Sequence, residues 1–173
     1  MLLNISDALT SEGKVEQKQA ALEADSFKSR MGEFKILEKK PIEFTLTNLS
    51  AGKARMEGKT DISFQAVCDR CLEDVEVRLS IAFDRVVYAP DHEEAEDADT
   101  APFMEGYQLD VETLMYHEIL ENWPAKILCR EDCKGVCPVC GKNLNYGECG
   151  CDTFVPDPRM AVIKDIFERN KEV

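Results

Sequence analysis

Residues 61–83 read DISFQAVCDRCLEDVEVRLSIAF. On either side of Cys68-x-x-Cys71 apolar and polar residues alternate. Ile62, Phe64 and Ala66 precede the cysteines, and Val75, Val77, Leu79, Ile81 and Phe83 follow them. A period of two marks a strand with one buried face. The stretch therefore predicts two antiparallel strands joined by a hairpin that carries two thiols. Upstream, Phe34 and Ile36, then Ile42, Phe44 and Leu46, repeat the pattern, and a turn over 48–52 leads to a short strand over 54–58. Together 34–88 predicts an antiparallel meander with one wet side. Residues 1–5 suit a first strand and 7–14 a turn. In 15–25 (VEQKQAALEAD) Gln, Ala, Glu and Lys favour a helix, although Ala20, Leu22 and Ala24 alternate as a strand does.

Beyond the meander, 91–100 (DHEEAEDADT) carries six acids and no apolar residue larger than alanine, the composition of a disordered, solvated loop. The spaced glycine and terminal glutamate of a calcium loop are missing, and His92 there reads as solvated. Asp110 suits the N-cap of a helix over 111–122, whose Val111, Leu114, Met115 and Ile119 share one face, with His117 off it. Pro124 ends that helix. A linker over 154–158 precedes a last helix over 160–170. Asp157 caps it, Pro158 takes its first position, Arg159 opposes its dipole, and Ala161, Ile163, Ile166 and Phe167 are its buried residues. The expected fold class is α+β: an antiparallel β-sheet or partial barrel with two packing helices and a small cysteine-rich, zinc-ribbon-like module. The divisions are a β-rich body over 1–124, a zinc module over 125–155, and a helix over 156–173 packing back on the body.

The length of 173 residues fits one domain or one domain with a small appendage. The first residues have neither the basic nor the apolar region of a secretion signal, and no apolar run reaches the roughly 20 residues of a membrane span. A cytoplasmic location follows, where thiols stay reduced. With 34 acids against 21 bases the formal charge is −13. That opposes membrane-surface binding and the simplest reading as a nucleic-acid binder, which presents a basic face; ordinary solubility explains it as well.

Six more cysteines lie in 129–151, CREDCKGVCPVCGKNLNYGECGC. Eight thiols complete two four-coordinate sites, and the spacings indicate structural zinc more than disulfides. Cys137-Pro-Val-Cys140-Gly141 is the most specific piece: its backbone N–H groups can donate to the thiolates, and Gly141 permits the close turn. Cys149-Gly-Cys151 completes a ribbon-like site with it. Cys68, Cys71, Cys129 and Cys133 make the second site and tie the hairpin to the segment entering the ribbon. The looser Cys129-x-x-x-Cys133 spacing leaves an exchange with Cys137 open. Disulfides and a redox Cys-x-x-Cys are the alternatives, the latter without the βαβ setting it normally has.

Catalysis finds little support. All-cysteine zinc sites are closed, neither histidine neighbours a cysteine, and no nucleophile triad, phosphate loop or glycine-rich nucleotide motif is present. No small-molecule substrate is evident. A metal-dependent thiol redox or hydrolytic enzyme is the competing reading.

CDRCLE (68–73) after an alternating strand, the acidic loop, the WPAK turn, LCREDCKGVCPVCGKNLN (128–145), Cys-Gly-Cys and DPRMAVI (157–163) resemble the YceD-type family of large-subunit ribosomal RNA accumulation proteins. The resemblance covers nearly the whole chain and is best from Cys68 onward. It implies a non-enzymatic cytoplasmic factor needed for accumulation and processing of large-subunit (23S) rRNA, and a strand at 15–25. Near the cysteines, Lys126, Arg130, Lys134 and Lys142 stand against Glu131, Asp132 and Glu148, a balance of +1. With Asn143, Asn145 and Tyr146, which can hydrogen-bond to and stack on exposed bases, these cations are the candidate partner-binding residues. Ribosomal RNA and a large-subunit ribosomal protein both qualify as the partner, and the acidic body suits a basic protein better.

Overall fold

The computed structural model describes residues 1–95, 98–99, 101–151 and 166. Two compact units are present, one of Met1–Val67 and Asp74–Ile127, the other of Cys68–Glu73 and residues from Leu128 onward.

The first unit is built around one strand. In chain order it holds β1 (Leu2–Asn4), α1 (Ser6–Thr10), β2 (Val15–Ala20), β3 (Ser26–Ser29), β4 (Gly32–Lys39), β5 (Ile42–Ser50), β6 (Lys53–Val67), β7 (Asp74–Tyr88), β8 (Met104–Glu105), β9 (Gln108–Asp110) and α2 (Val111–Asn122). On one side of β6, β5 pairs along 53–59 and β4 along 62–65; on the other, β7 pairs in unbroken register from Lys53↔Tyr88 to Val67↔Asp74. β2 extends the sheet beyond β5 and β3 beyond β4. The result is an open six-stranded antiparallel sheet, with a small second sheet in the order β1-β9-β8.

Three expectations change. The strands foreseen at 54–58 and 61–67 are one strand, because Gly58 is not a break. Its flat backbone lies under the Phe83 ring, and a Cβ there would stand 2.1 Å from the ring edge. Aromatic cover from the neighbouring strand replaces the missing side chain. Residues 15–20 form a strand, as the resemblance implied and propensity did not. Helix preferences of a few tenths of a kcal/mol per residue yield to six paired residues along β5. Residues 7–10, placed in a turn from their residue types, belong to a short helix, Ser6–Thr10, that buries Ala8 and Leu9. Asn48 anchors the next loop: its amide donates to the carbonyls of Ala8 and Ser50, and its oxygen accepts from the Gly13 N–H.

The helix over Val111–Asn122 starts as its residues require. The Asp110 carboxylate accepts from the Glu112 N–H and the Thr113 hydroxyl, which satisfies otherwise orphaned groups at the helix start. Val111, Leu114, Met115 and Ile119 are buried. Trp123 closes the helix among Phe27, Phe34 and Phe64, at ring distances of 5.5, 4.5 and 5.2 Å. Glu118 is also buried, and it is held by Arg85 of β7 at 2.9 Å. Exposed His117 has its ring near Phe103. The described acids of 91–99 lie in turns and bends rather than in a free coil alone. Glu94 meets Lys53 at 3.3 Å, and His92 packs on the Tyr88 ring. No helix among the described residues is long and apolar enough to cross a membrane.

The linker and last helix expected over 154–170 lie outside the described residues apart from Ile166. That residue is helical but 52% exposed, not buried as expected.

Candidate metal centres

The second unit contains two turns of one design. In the first, the Leu72 N–H donates to the Cys68 carbonyl (3.0 Å) and the Cys68 N–H to the Glu73 carbonyl (2.8 Å). In the second, Gly141 donates to Cys137 (2.9 Å) and Cys137 to Lys142 (2.8 Å). Both turns put the residue after the second cysteine in the left-handed region, with φ +62° at Leu72 and +73° at Gly141. Glycine does this without strain; leucine there costs about 1–2 kcal/mol. The turn aims backbone N–H groups at the first sulfur. Donation from Cys140 and Val139 holds the Cys137 thiol down at about 6. Burial opposes ionisation of Cys68, but donation from Cys71, Arg70 and Cys129 outweighs it and brings that thiol to about 6 as well.

The sulfurs gather in two quartets, Cys68, Cys71, Cys129 and Cys133, and Cys137, Cys140, Cys149 and Cys151, each with its ligand atoms within 4.8 Å of one another. This grouping is the division the spacings favoured, in which an exchange with Cys137 had stayed open. All eight cysteines are free. The Sγ atoms of Cys68 and Cys133 are 3.8 Å apart, and those of Cys71 and Cys129 are 3.5 Å apart. Four sulfurs placed tetrahedrally at the zinc–sulfur bond length lie roughly 3.8 Å from one another, so the quartet has the dimensions of a zinc tetrathiolate. The electrostatics also fit a cation. The Glu73 N–H favours the Cys71 thiolate, yet burial and the sulfurs of Cys68, Cys129 and Cys133 push that thiol up to about 12. Cys140 and Cys149 do the same to Cys151, also to about 12. Four thiolates cannot crowd together unless a central positive charge offsets their repulsion.

Several supporting residues escaped the sequence reading. Asn145 donates its side-chain N–H to the Cys133 sulfur at 3.3 Å, while its oxygen accepts from the Lys134 N–H at 2.8 Å. Both ends of its amide are thus engaged within the unit. The Arg70 guanidinium donates to the Cys133 carbonyl at 2.9 Å. Gly135, at φ +77°, passes so close that a Cβ would lie 2.9 Å from the Arg70 carbonyl oxygen. Of these, only Gly135 carried a sequence signal, a glycine two residues after a ligand.

The other candidate partner residues fall in both units. Lys126 belongs to the first unit and is exposed. Arg130, Lys134 and Lys142 are exposed in the second, where Arg130 meets Asp132 at 3.4 Å and the Lys142 ammonium donates to the Glu148 carbonyl. The Asn143 side chain accepts from the Asn145 N–H. Tyr146, 76% exposed, has its hydroxyl fixed on Glu73 at 2.7 Å. In the first unit, the groove bordered by Gln17, Glu43, Glu57, Lys59 and Asp84 has its charges paired, Glu43 with Lys59 at 2.8 Å and Asp84 with Arg55 at 2.5 Å.

Comparison with known proteins adds the family. The YceD profile, described as large ribosomal RNA subunit accumulation protein, matches residues 56–167 and so takes in all eight cysteines. Uncharacterized proteins of Mycobacterium tuberculosis and Mycobacterium bovis are 30% identical over 102 residues, which is 58% of this chain and 49% of theirs. The chain thus spans about half the length of these relatives. No solved structure matches. With well over half of its length matched by the profile, the chain belongs to the YceD family.

Proposed function

We propose that the protein is a non-catalytic, cytoplasmic ribosome-biogenesis factor. It supports accumulation and processing of 23S rRNA through a binding module stapled by two structural zinc ions. The observation that carries this reading is the family match over a segment whose eight thiols form two closed quartets. Four sulfurs around one ion leave no open position for substrate or water, which favours a structural metal over the redox or hydrolytic alternative.

Charge favours a basic large-subunit ribosomal protein over bare RNA as the direct contact. The described part of the second unit holds Arg70, Arg130, Lys134 and Lys142 against Asp69, Glu73, Glu131, Asp132 and Glu148. A zinc tetrathiolate adds roughly −2 at each site. The +1 balance read near the cysteines is therefore reversed once the thiolates are counted, and a phosphate backbone meets net repulsion. Crosslinking of the tagged protein in cells, by carbodiimide coupling for protein contacts and by ultraviolet light for RNA contacts, read by mass spectrometry and by sequencing, tests this. The expected crosslinks join its carboxylates to lysines of a large-subunit protein. Recovery of rRNA alone would move the direct contact to RNA, and recovery of neither would remove the reading.

A further inference from the structure

We propose that the two quartets load zinc as a cooperative pair, coupled through the loop 141–148, with Asn145 as the positioning residue between them. The inference rests on reading both quartets as metal sites. Its basis is where the loop makes its contacts. Cys140 and Cys149 bracket the loop, so a metal in their quartet pins both of its ends. The contacts of its middle fall on the other quartet or beside it. Asn145 donates to the Cys133 sulfur and accepts from Lys134. The Leu144 N–H donates to the Gly135 carbonyl at 2.8 Å, and Val136 and Asn143 form an antiparallel bridge. Tyr146 reaches Glu73, two residues past the ligand Cys71, at 2.7 Å.

Filling the second quartet closes the loop and removes entropy that ordering these contacts would otherwise cost. The first quartet then gains a pre-placed N–H donor to a thiolate, the kind of outer contact that strengthens a metal site. Linkage makes the effect mutual: a metal at Cys133 holds the Asn145 amide and so orders the loop that carries the other ligands.

Native mass spectrometry of the full chain, with one equivalent of Zn²⁺ added to the reduced apo-protein, reads the coupling directly. Independent, equal sites leave about half of the molecules with one ion, and unequal ones leave more. The expected result is a half-loaded fraction well below this, with apo and two-zinc species dominant. Asn145→Ala should raise the half-loaded fraction and weaken the first quartet about 10–100-fold. Asn145→Asp keeps the shape but sets an acceptor against the thiolate, and should weaken it further. Tyr146→Phe, which removes only a hydroxyl, should shift loading in the same direction by a smaller factor. In Cys149→Ser/Cys151→Ser, affinity of the remaining quartet, followed by Co²⁺ absorption, should fall about tenfold. A wild-type half-loaded fraction at or above one half would overturn the coupling, as would unchanged loading in all the Asn145 and Tyr146 variants. A chain that binds no zinc would overturn the metal reading itself, which is a distinct failure.

Discussion

With zinc in the two quartets as proposed, chelation is expected to unfold residues 68–73 and 128–151 while the sheet unit stays folded. The reason lies in what each unit buries. The main apolar core, from Ile5 to Ile119, belongs entirely to the first unit. In the second, the buried hydrophobic residues among those described are Cys68, Cys71, Cys133 and Cys137, and the aliphatic Leu128, Val136 and Leu144 are only half-buried. Leu72, Val139 and Tyr146 face solvent. Without a metal, backbone ordering that costs about 1–2 kcal/mol per residue has little hydrophobic return. In small zinc modules the ion supplies about 10–16 kcal/mol of folding energy. Hydrogen exchange after chelation should show lost protection at Cys68, Leu72, Val136, Cys137, Gly141 and Leu144, the amides of the two turns and the loop. Emission of the single tryptophan, Trp123, should be unchanged, since its neighbours are Phe27, Phe34 and Phe64. Cys133→Ser should reduce the zinc count from two. Protection that survives exhaustive chelation would contradict this account.

The second large effect is expected from Arg85→Ala. Arg85 gives two hydrogen bonds to one oxygen of Glu118, at 3.1 and 2.9 Å, and one to Glu121 at 2.7 Å. The Glu118 side chain is only 3% exposed. Burial pushes its carboxyl above the usual range, and Arg85 partly opposes the shift. Removing the cation strands a buried carboxylate, at a cost of about 3–5 kcal/mol, which denaturant titration followed by Trp123 emission can measure. The pH dependence has a definite sign. A carboxyl raised in the folded state destabilises that state where it must ionise, and the penalty fades as pH falls through its folded value. The variant should therefore lose more stability at pH 7 than near pH 5. Pairing Arg85→Met with Glu118→Leu should restore most of the loss, because a hydrophobic pair of similar volume needs no solvation. A loss under 1 kcal/mol at pH 7 would show that the pair is not buried in solution.

These effects differ in how far they could be read from the chain. Strand identity in 61–83 was legible because burial on one face of a sheet writes a period of two, and the paired segments are adjacent in sequence. Division of the cysteines was legible only in part: short spacings favour this grouping into quartets, but the looser Cys129-x-x-x-Cys133 spacing left an exchange with Cys137 open. Glu118 was hidden: a glutamate on a helix reads as solvated until Arg85, 33 residues away, is seen beside it. Gly58 was hidden for the same reason, since the residue that fills its empty side-chain position is Phe83 on another strand. Asn145 looked like a surface amide suited to bases. Its proximity to Cys133 arises only when the loop folds back, and nothing in local periodicity encodes that return.

The proposed role in large-subunit assembly meets its most direct test in depletion of the protein from growing cells, with rRNA and subunit profiles followed over the first generations. The account predicts a fall in 23S rRNA relative to 16S and a loss of large subunits, restored by the wild-type chain and not by one lacking Cys68 and Cys133. Unchanged 23S levels and a normal subunit profile after depletion would contradict it.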